Sequence, residues 1–152
     1  MKNRTLSLGI FTLLLMLAFT GCGGTKQVVP ISNAEKEAFA QTKGDTITIA
    51  DEKTEYEIII IEPGFDIWLL SIAKPEGYYS QSYLENRNYI YVVEWNLRVS
   101  QPFTYNPNLY EMQIDYDPNI DYGYEVNYKL YNYFIYFQRK YNQRLGPFAP
   151  RI

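Results

Sequence analysis

The sequence contains no histidine and only one cysteine, Cys22, among its 152 residues. Without histidine, the chain lacks the usual general base near neutral pH and the commonest metal ligand. A single cysteine excludes an intramolecular disulfide, a multi-thiolate zinc site and a haem attachment motif. We therefore expect a fold stabilised by core packing alone, with no cofactor, and any catalysis would depend on carboxylates, hydroxyls, Lys or Arg.

Positive charge is also scarce. The formal net charge is −3, and it becomes −5 if the N-terminal segment that carries Lys2 and Arg4 is removed. Proteins that bind nucleic acid neutralise phosphates with clustered Lys and Arg side chains. This chain has no such cluster, so nucleic acid is not expected as a partner.

The first 22 residues have the organisation of a bacterial lipoprotein export signal. Lys2 and Arg4 precede an apolar run of about 14 residues, which ends in Thr20-Gly21-Cys22. That run is shorter than the ~20 residues that a spanning helix needs, and small residues before a cleavage site are typical of processed segments. We predict removal of residues 1–21 and acylation of Cys22, which then anchors the protein in the membrane. An ordinary secretory signal or an uncleaved anchor is the alternative.

The mature chain divides into three parts. Residues 22–45 hold few large apolar residues and are predicted to form a flexible tether. Residues 33–40 could form a short helical turn, but a solvated linker is the favoured interpretation. Residues 46–146 form a single predicted domain, and residues 147–152 form a C-terminal tail.

Local patterns predict a small α+β domain with the element order β-β-α-α-β-α. The first two strands form a β-hairpin, and the alternation from Tyr110 to Asp117 predicts a third antiparallel strand. A capping box at Ser82 and Glu85 indicates the start of the second helix, although the β-branched and aromatic run from Tyr89 to Trp95 could instead be a strand. The predicted elements are strands at 46–50, 55–62 and 110–117, and helices at 65–74, 80–101 and 124–144.

Two long segments resemble a known group of proteins. SQSYLENRNYIYVVEWNLRV (80–99) and YNPNLYEMQIDYDPNIDYGYEVNYKLYNYFIYFQRKYNQRL (105–145) are similar to an uncharacterised family of small Bacteroidota-type lipoproteins. The family is a domain of unknown function, and the resemblance covers roughly residues 55 to 145. It implies a cell-envelope setting and no particular activity. Because no acidic residue follows Cys22 closely, the resemblance favours the periplasmic leaflet of the outer membrane.

One loop has the composition of a calcium site. Oxygen-bearing side chains occur at every second position from residue 115, as in loops that wrap ligands around a hard cation. The spacing departs from that of an EF-hand, and the favoured interpretation is that Asp117 and Asn119 form Asx-turns while Asp121 caps the last helix. The candidate ligands are Asp115, Asp117, Asn119, Asp121 and Glu125.

Two further sets of residues are candidates for ligand contact. Arg87, Glu94 and Arg98 share one face of the second helix beside Trp95, where two guanidinium groups could bind an anionic glycan or peptide. The alternative is a solvated row of ion pairs. The chain also has 16 tyrosines, and part of them could form an aromatic shelf for sugars or peptides. The shelf candidates are Tyr78, Tyr79, Tyr83, Tyr89, Tyr91, Trp68 and Trp95.

Three functions remain open. The leading interpretation is a non-catalytic envelope lipoprotein that binds another protein or serves as a scaffold. The second is a module that binds glycan or peptidoglycan through its tyrosine-rich surface. The third is a carboxylate-based enzyme that acts on the cell wall. It ranks last because Glu85 and Glu94 lie on different helix faces and do not form a catalytic pair.

Overall fold

The computed structural model describes residues 30–43 and 62–152, together with the backbone of residues 47–51 and 56–60. The predicted signal peptide and Cys22, the predicted lipidation site, lie outside these residues. The described elements are α1 (Asn33–Phe39), β1 (Ile47–Asp51), β2 (Tyr56–Ile60), α2 (Phe65–Ser71), α3 (Gln81–Val99) and α4 (Gly123–Lys140).

Helix α4 is the centre of the packed part of the chain. Phe134 contacts Tyr91 and Trp95 of α3, whereas Tyr136 contacts Phe65 and Trp68 of α2. Two residues correspond to about 200° around an α-helix, so α3 and α2 pack on opposite sides of α4. Helix α4 is therefore apolar on two sides and is sandwiched within its domain.

The predicted α+β fold class is wrong, because helices build the core. In the described residues the only strands are β1 and β2, which pair antiparallel from Ile47 opposite Ile60 to Asp51 opposite Tyr56. Their pairing confirms the hairpin, but no third strand joins it. The observed order is α-β-β-α-α-α, in which three of the helices follow the hairpin.

The segment predicted as the third strand, residues 110–117, is irregular and pairs with the side chains of α3. The amide of Asn96 donates to the carbonyl of Ile114 at 2.8 Å and accepts from the Ile114 N–H at 2.8 Å. The indole Nε1 of Trp95 donates to the carbonyl of Met112 at 2.9 Å. One side-chain amide thus supplies the donor and the acceptor that a neighbouring strand would have offered. Tyr110 and Tyr116 of the alternating pattern are buried, but the partner of the segment is a helix.

Helix α3 is continuous for 19 residues, which decides the helix-or-strand ambiguity at Tyr89 to Trp95 in favour of helix. Leu84, Tyr91 and Trp95, which recur at helical spacing, are buried. The predicted capping box is wrong in register, because the cap is Ser80: its hydroxyl accepts from the N–H of Tyr83. The side chain of Glu85 accepts instead from Gln81.

This cap gives a direct test with an internal control. We expect Ser80→Ala to lower the free energy of unfolding by about 1 kcal/mol, because one free N–H at the start of α3 loses its acceptor. The exposed Ser82 does not cap the helix, so Ser82→Ala should change stability by less than about 0.5 kcal/mol. Urea denaturation of the two variants measures both values, and equal losses would contradict the assignment of the cap.

Helix α1 lies in the segment predicted to be a flexible tether, and for residues 33–39 that prediction is wrong. Ser32 caps the helix in a full capping box with Glu35. Glu35 and Ala38 are buried. Residues 33–39 are therefore part of the packed domain.

The other helices confirm their predictions and end earlier than expected, α2 at Ser71 and α4 at Lys140. Within residues 30–43 and 62–152, no helix has the length and apolar character that crossing a bilayer requires.

Candidate functional surfaces

In the predicted calcium loop, the side chains of Asp117, Asp121 and Glu125 bond to different residues. Asp117 accepts from the N–H of Asn119 at 2.8 Å, which is an Asx-turn. Asp121 accepts from the N–H of Gly123 at the start of α4, and Glu125 forms an ion pair with Lys129. Asp115 is exposed. Across the described ranges, no group of three or more Cys, Asp or Glu side chains converges as a metal site would require.

The charged residues predicted to share one face of α3 lie in different surroundings. Arg98 is buried and binds Glu94 through two of its nitrogens, at 2.9 and 2.7 Å. Arg87 lies elsewhere, with its guanidinium carbon 3.2 Å from the centre of the Phe148 ring. Trp95 is buried and packs on Tyr110 and Phe137. These residues do not form a shared ligand site.

Arg98 instead joins three segments of the chain. Besides Glu94, it donates to the hydroxyl of Tyr110 at 2.6 Å and to the carbonyl of Arg144 at 2.5 Å. Burial lowers the pKa of Arg98, but its bonds to Glu94 and Tyr110 raise the pKa by more, so the guanidinium stays charged. Its contacts are those of a structural cation that connects α3 with the following loop and the end of α4.

A second buried ion pair, which the sequence analysis missed, connects both ends of the described chain. Arg139 of α4 binds both carboxylate oxygens of Glu35, one of them from Nη2 at 2.6 Å. It also donates to the carbonyls of Pro30 and Pro150, each at 3.2 Å. Trp68 of α2 donates to the same carboxylate at 3.5 Å. One side chain thus holds the N-terminal segment, the C-terminal tail and α4 together.

The environment of Glu35 keeps it ionised. Burial raises the pKa of Glu35, but hydrogen bonds from Arg139, Ser32 and Trp68 outweigh that effect and lower the pKa below its ordinary value. The sequence did carry a signal for this residue, because Ser32-Asn-Ala-Glu35 has the spacing of a capping box.

Some residues of the predicted aromatic shelf are buried in the core, and others lie near the surface. Trp68, Tyr91 and Trp95 are core residues, and burial raises the pKa of Tyr91 to about 12. Near the surface, the rings of Tyr79 and Tyr83 are stacked 4.7 Å apart. The exposed ring of Tyr78 meets Tyr79 edge-on at 4.7 Å. A smaller cluster of three tyrosines therefore remains of the predicted shelf.

Two apolar surfaces face outward on opposite sides of α4. The first, termed the α3 surface, consists of Tyr89, Val93 and Leu97, which are exposed and spaced four residues apart. The second, termed the α2 surface, consists of Ile67 and Leu70. Neither surface was predicted from the sequence. Both helices also bury an apolar face, and a single sequence does not show which apolar face is covered.

The match to known proteins agrees with the resemblance noted in the sequence. A family of unknown function, DUF6146, matches residues 11–149. The chain belongs to this family. No curated protein and no solved structure matches the chain. The DUF6146 match confirms a domain of unknown function, while the lipoprotein character of the chain stays a prediction.

In this DUF6146 protein, four of the described carboxylates form ion pairs. Glu35, Glu94 and Glu125 each pair with a cation. Glu62 pairs with Lys140 and also accepts from the hydroxyl of Tyr141. Each of these carboxylates is thus bound to a neighbouring side chain of the protein. The α3 and α2 surfaces, in contrast, expose apolar side chains.

Proposed function

We propose that this protein is a lipid-anchored, non-catalytic envelope lipoprotein that faces the periplasm from the outer membrane and binds another protein through the α3 surface. The observation that carries the proposal is the row formed by Tyr89, Val93 and Leu97. These side chains are each about half exposed, although they alternate with the side chains that α3 buries against α4.

The chemistry of the α3 surface defines the kind of partner. The same face of α3 also carries the uncharged side chains of Asn86, Asn96 and Ser100. A surface that is apolar at intervals of four residues and flanked by uncharged polar groups suits an amphipathic helix of another protein. Tyrosine supplies a large, rigid contact area with a polar tip, which is favourable at the centre of such interfaces. The α3 surface also lies on the far side of α4 from α1, the helix nearest to the predicted anchor.

The test is photo-crosslinking in intact cells. We expect a photoreactive phenylalanine analogue in place of Tyr89 to give one dominant protein adduct, because that ring lies within the proposed interface. The same analogue in place of Tyr78, which is equally aromatic and more exposed, should give none. Adding Val93→Glu should abolish the adduct at position 89, because a buried unpaired carboxylate is costly.

Several outcomes would contradict the proposal. Adducts of equal yield at positions 89 and 78 would mean that exposure alone controls crosslinking. An adduct with twice the mass of the chain would show self-association in place of a different partner. If neither position crosslinks, the α3 surface is not an interface in the cell.

A second function is supported by the tyrosine cluster. Stacked and edge-on rings such as those of Tyr78, Tyr79 and Tyr83 offer flat faces to sugar rings, and a guanidinium lies 5.1 Å from the Tyr83 ring. If the protein binds glycan, purified sacculi will retain it, and Tyr78→Ala will reduce that retention while Tyr89→Ala will not. No retention by sacculi would exclude this function.

A further inference from the structure

The α2 surface lies next to the point from which the chain leads back to Cys22. Leu70 is 89% exposed, and Ile67, one helical turn earlier, is exposed beside it. The other side of α2 is buried through Phe65 and Trp68. The indole of Trp68 shares the Glu35 carboxylate with Arg139, which in turn binds the carbonyl of Pro30. These contacts connect α2, through Glu35 and Arg139, to the segment that begins at Pro30.

The length of the chain before Pro30 limits how far the domain can move from its anchor. Eight residue steps separate Cys22 from Pro30. A fully extended chain advances at most about 3.5 Å per residue, so no conformation places Pro30 more than about 28 Å from Cys22. The tether therefore allows the α2 surface to meet the bilayer and keeps the domain at high local concentration beside it.

The side chains of α2 and of the chain that follows it suit the zone between lipid headgroups and acyl chains. In the segment after α2, the exposed Tyr78 has the amphipathic ring that is enriched in that zone, and the amine of Lys74 lies 5.5 Å from its ring centre. Elsewhere on α1, α2 and the residues that follow them, charges of both signs are interspersed: Lys36, Glu37, Lys43, Asp66 and Glu76. A surface with this balance would bind lipid through its apolar side chains and would not require anionic headgroups.

We propose that the α2 surface rests on the bilayer that holds the acyl chains of Cys22, with the side chain of Leu70 inserted in the interface. The domain then has a membrane-facing side at α2 and a partner-facing side at α3, and it presents the α3 surface away from the lipid. This inference rests on the proposed lipid anchor, and it adds an orientation that the anchor alone does not impose.

Cys22 is the only natural cysteine, and the proposed acylation blocks its thiol. A second cysteine introduced into the domain can therefore be labelled alone. Ser71→Cys on α2 and Ser100→Cys at the end of α3 form a matched pair. Both serines are exposed, and each bonds to a carbonyl in the preceding helical turn, those of Ile67 and Leu97. The full-length lipoprotein carrying either label is reconstituted in phosphatidylcholine vesicles that contain lipids brominated near the headgroup.

We expect bromine to quench the label at position 71 and to leave the label at position 100 unaffected. Adding Leu70→Asp to the Ser71→Cys protein should lower the ratio of docked to undocked domain by about tenfold or more, because the apolar contact is lost. Leu70 is exposed, so this change leaves the core intact. Equal quenching at both positions, no quenching at either, or quenching at position 100 alone would overturn the proposal.

Flotation of the vesicles separates failure of the orientation from failure of the anchor. Protein that floats with the vesicles but is not quenched at position 71 is anchored without the proposed orientation. Protein that does not float has no lipid anchor, and that result overturns the proposed anchor together with the inference built on it.

Discussion

Glu35→Gln is expected to lower the free energy of unfolding by about 3–5 kcal/mol, which is a large fraction of the stability of a small domain. The carboxylate is fully buried and pairs with both Arg139 nitrogens that face it. Removing its charge leaves a buried guanidinium without a counterion, and this cost exceeds that of the lost hydrogen bonds. Urea denaturation followed by circular dichroism measures the difference.

Two further variants separate this explanation from a general sensitivity of α1. Glu37→Gln changes an exposed carboxylate two residues along the same helix, and it should alter stability by less than about 0.5 kcal/mol. The double change of Glu35→Leu with Arg139→Met removes both charges, so it should be more stable than Glu35→Gln alone. If the double variant is the less stable of the two, the unpaired guanidinium is not the source of the loss.

The same pair predicts the direction of a pH effect. The pKa of Glu35 in the folded protein is below its ordinary value of 4.5, so the folded state holds this proton more weakly than the unfolded chain. The stabilisation is therefore complete above about pH 4.5 and is lost as the pH falls through the lower pKa of the folded state. We expect the stability difference between the wild type and Glu35→Gln to shrink in that acidic range. A difference that stays constant from pH 7 to pH 3 would contradict the assignment.

The sequence predicted the long helices because their cores repeat at helical spacing. Leu84, Tyr91 and Trp95 form such a stripe, and so do Val126, Leu130 and Phe134, and all six are buried. The prediction of a strand at residues 110–117 was wrong because an alternating pattern does not show which element pairs with the backbone. Here the backbone partner is the side chain of Asn96, 18 residues earlier.

The candidate surfaces were harder to predict for a related reason. Arg98 has the spacing of a solvated ion pair with Glu94, and its burial depends on Tyr110 and on the carbonyl of Arg144. Those partners come from segments whose position follows only from the tertiary fold. Glu35 and Arg139 are 104 residues apart, so no local pattern connects them. The sequence contains the capping signal at Ser32, which predicts the helix but not the pairing of Glu35 with Arg139.

Gly64→Ala is the second change with a large expected effect, and it tests how α2 is joined to α1. Gly64 precedes α2 with φ of +83°, a backbone conformation that residues with a Cβ rarely adopt. An added Cβ would lie 2.0 Å from the carbonyl oxygen of Ala38 in α1, which is far inside van der Waals contact. Since the obstructing atom belongs to the backbone, relief requires α1 to move away from α2. We expect a loss of about 2–5 kcal/mol in the free energy of unfolding.

Gly77 provides the matched control, because it has nearly the same backbone angle and open space around it. Its φ is +81°, and no atom lies within 4 Å of an added Cβ. Gly77→Ala should therefore cost only the backbone strain, about 1–2 kcal/mol. The excess loss in Gly64→Ala then measures the close contact between α1 and α2. Equal losses at the two glycines would mean that α1 does not restrain α2, and the proposed orientation of the domain would lose its structural basis.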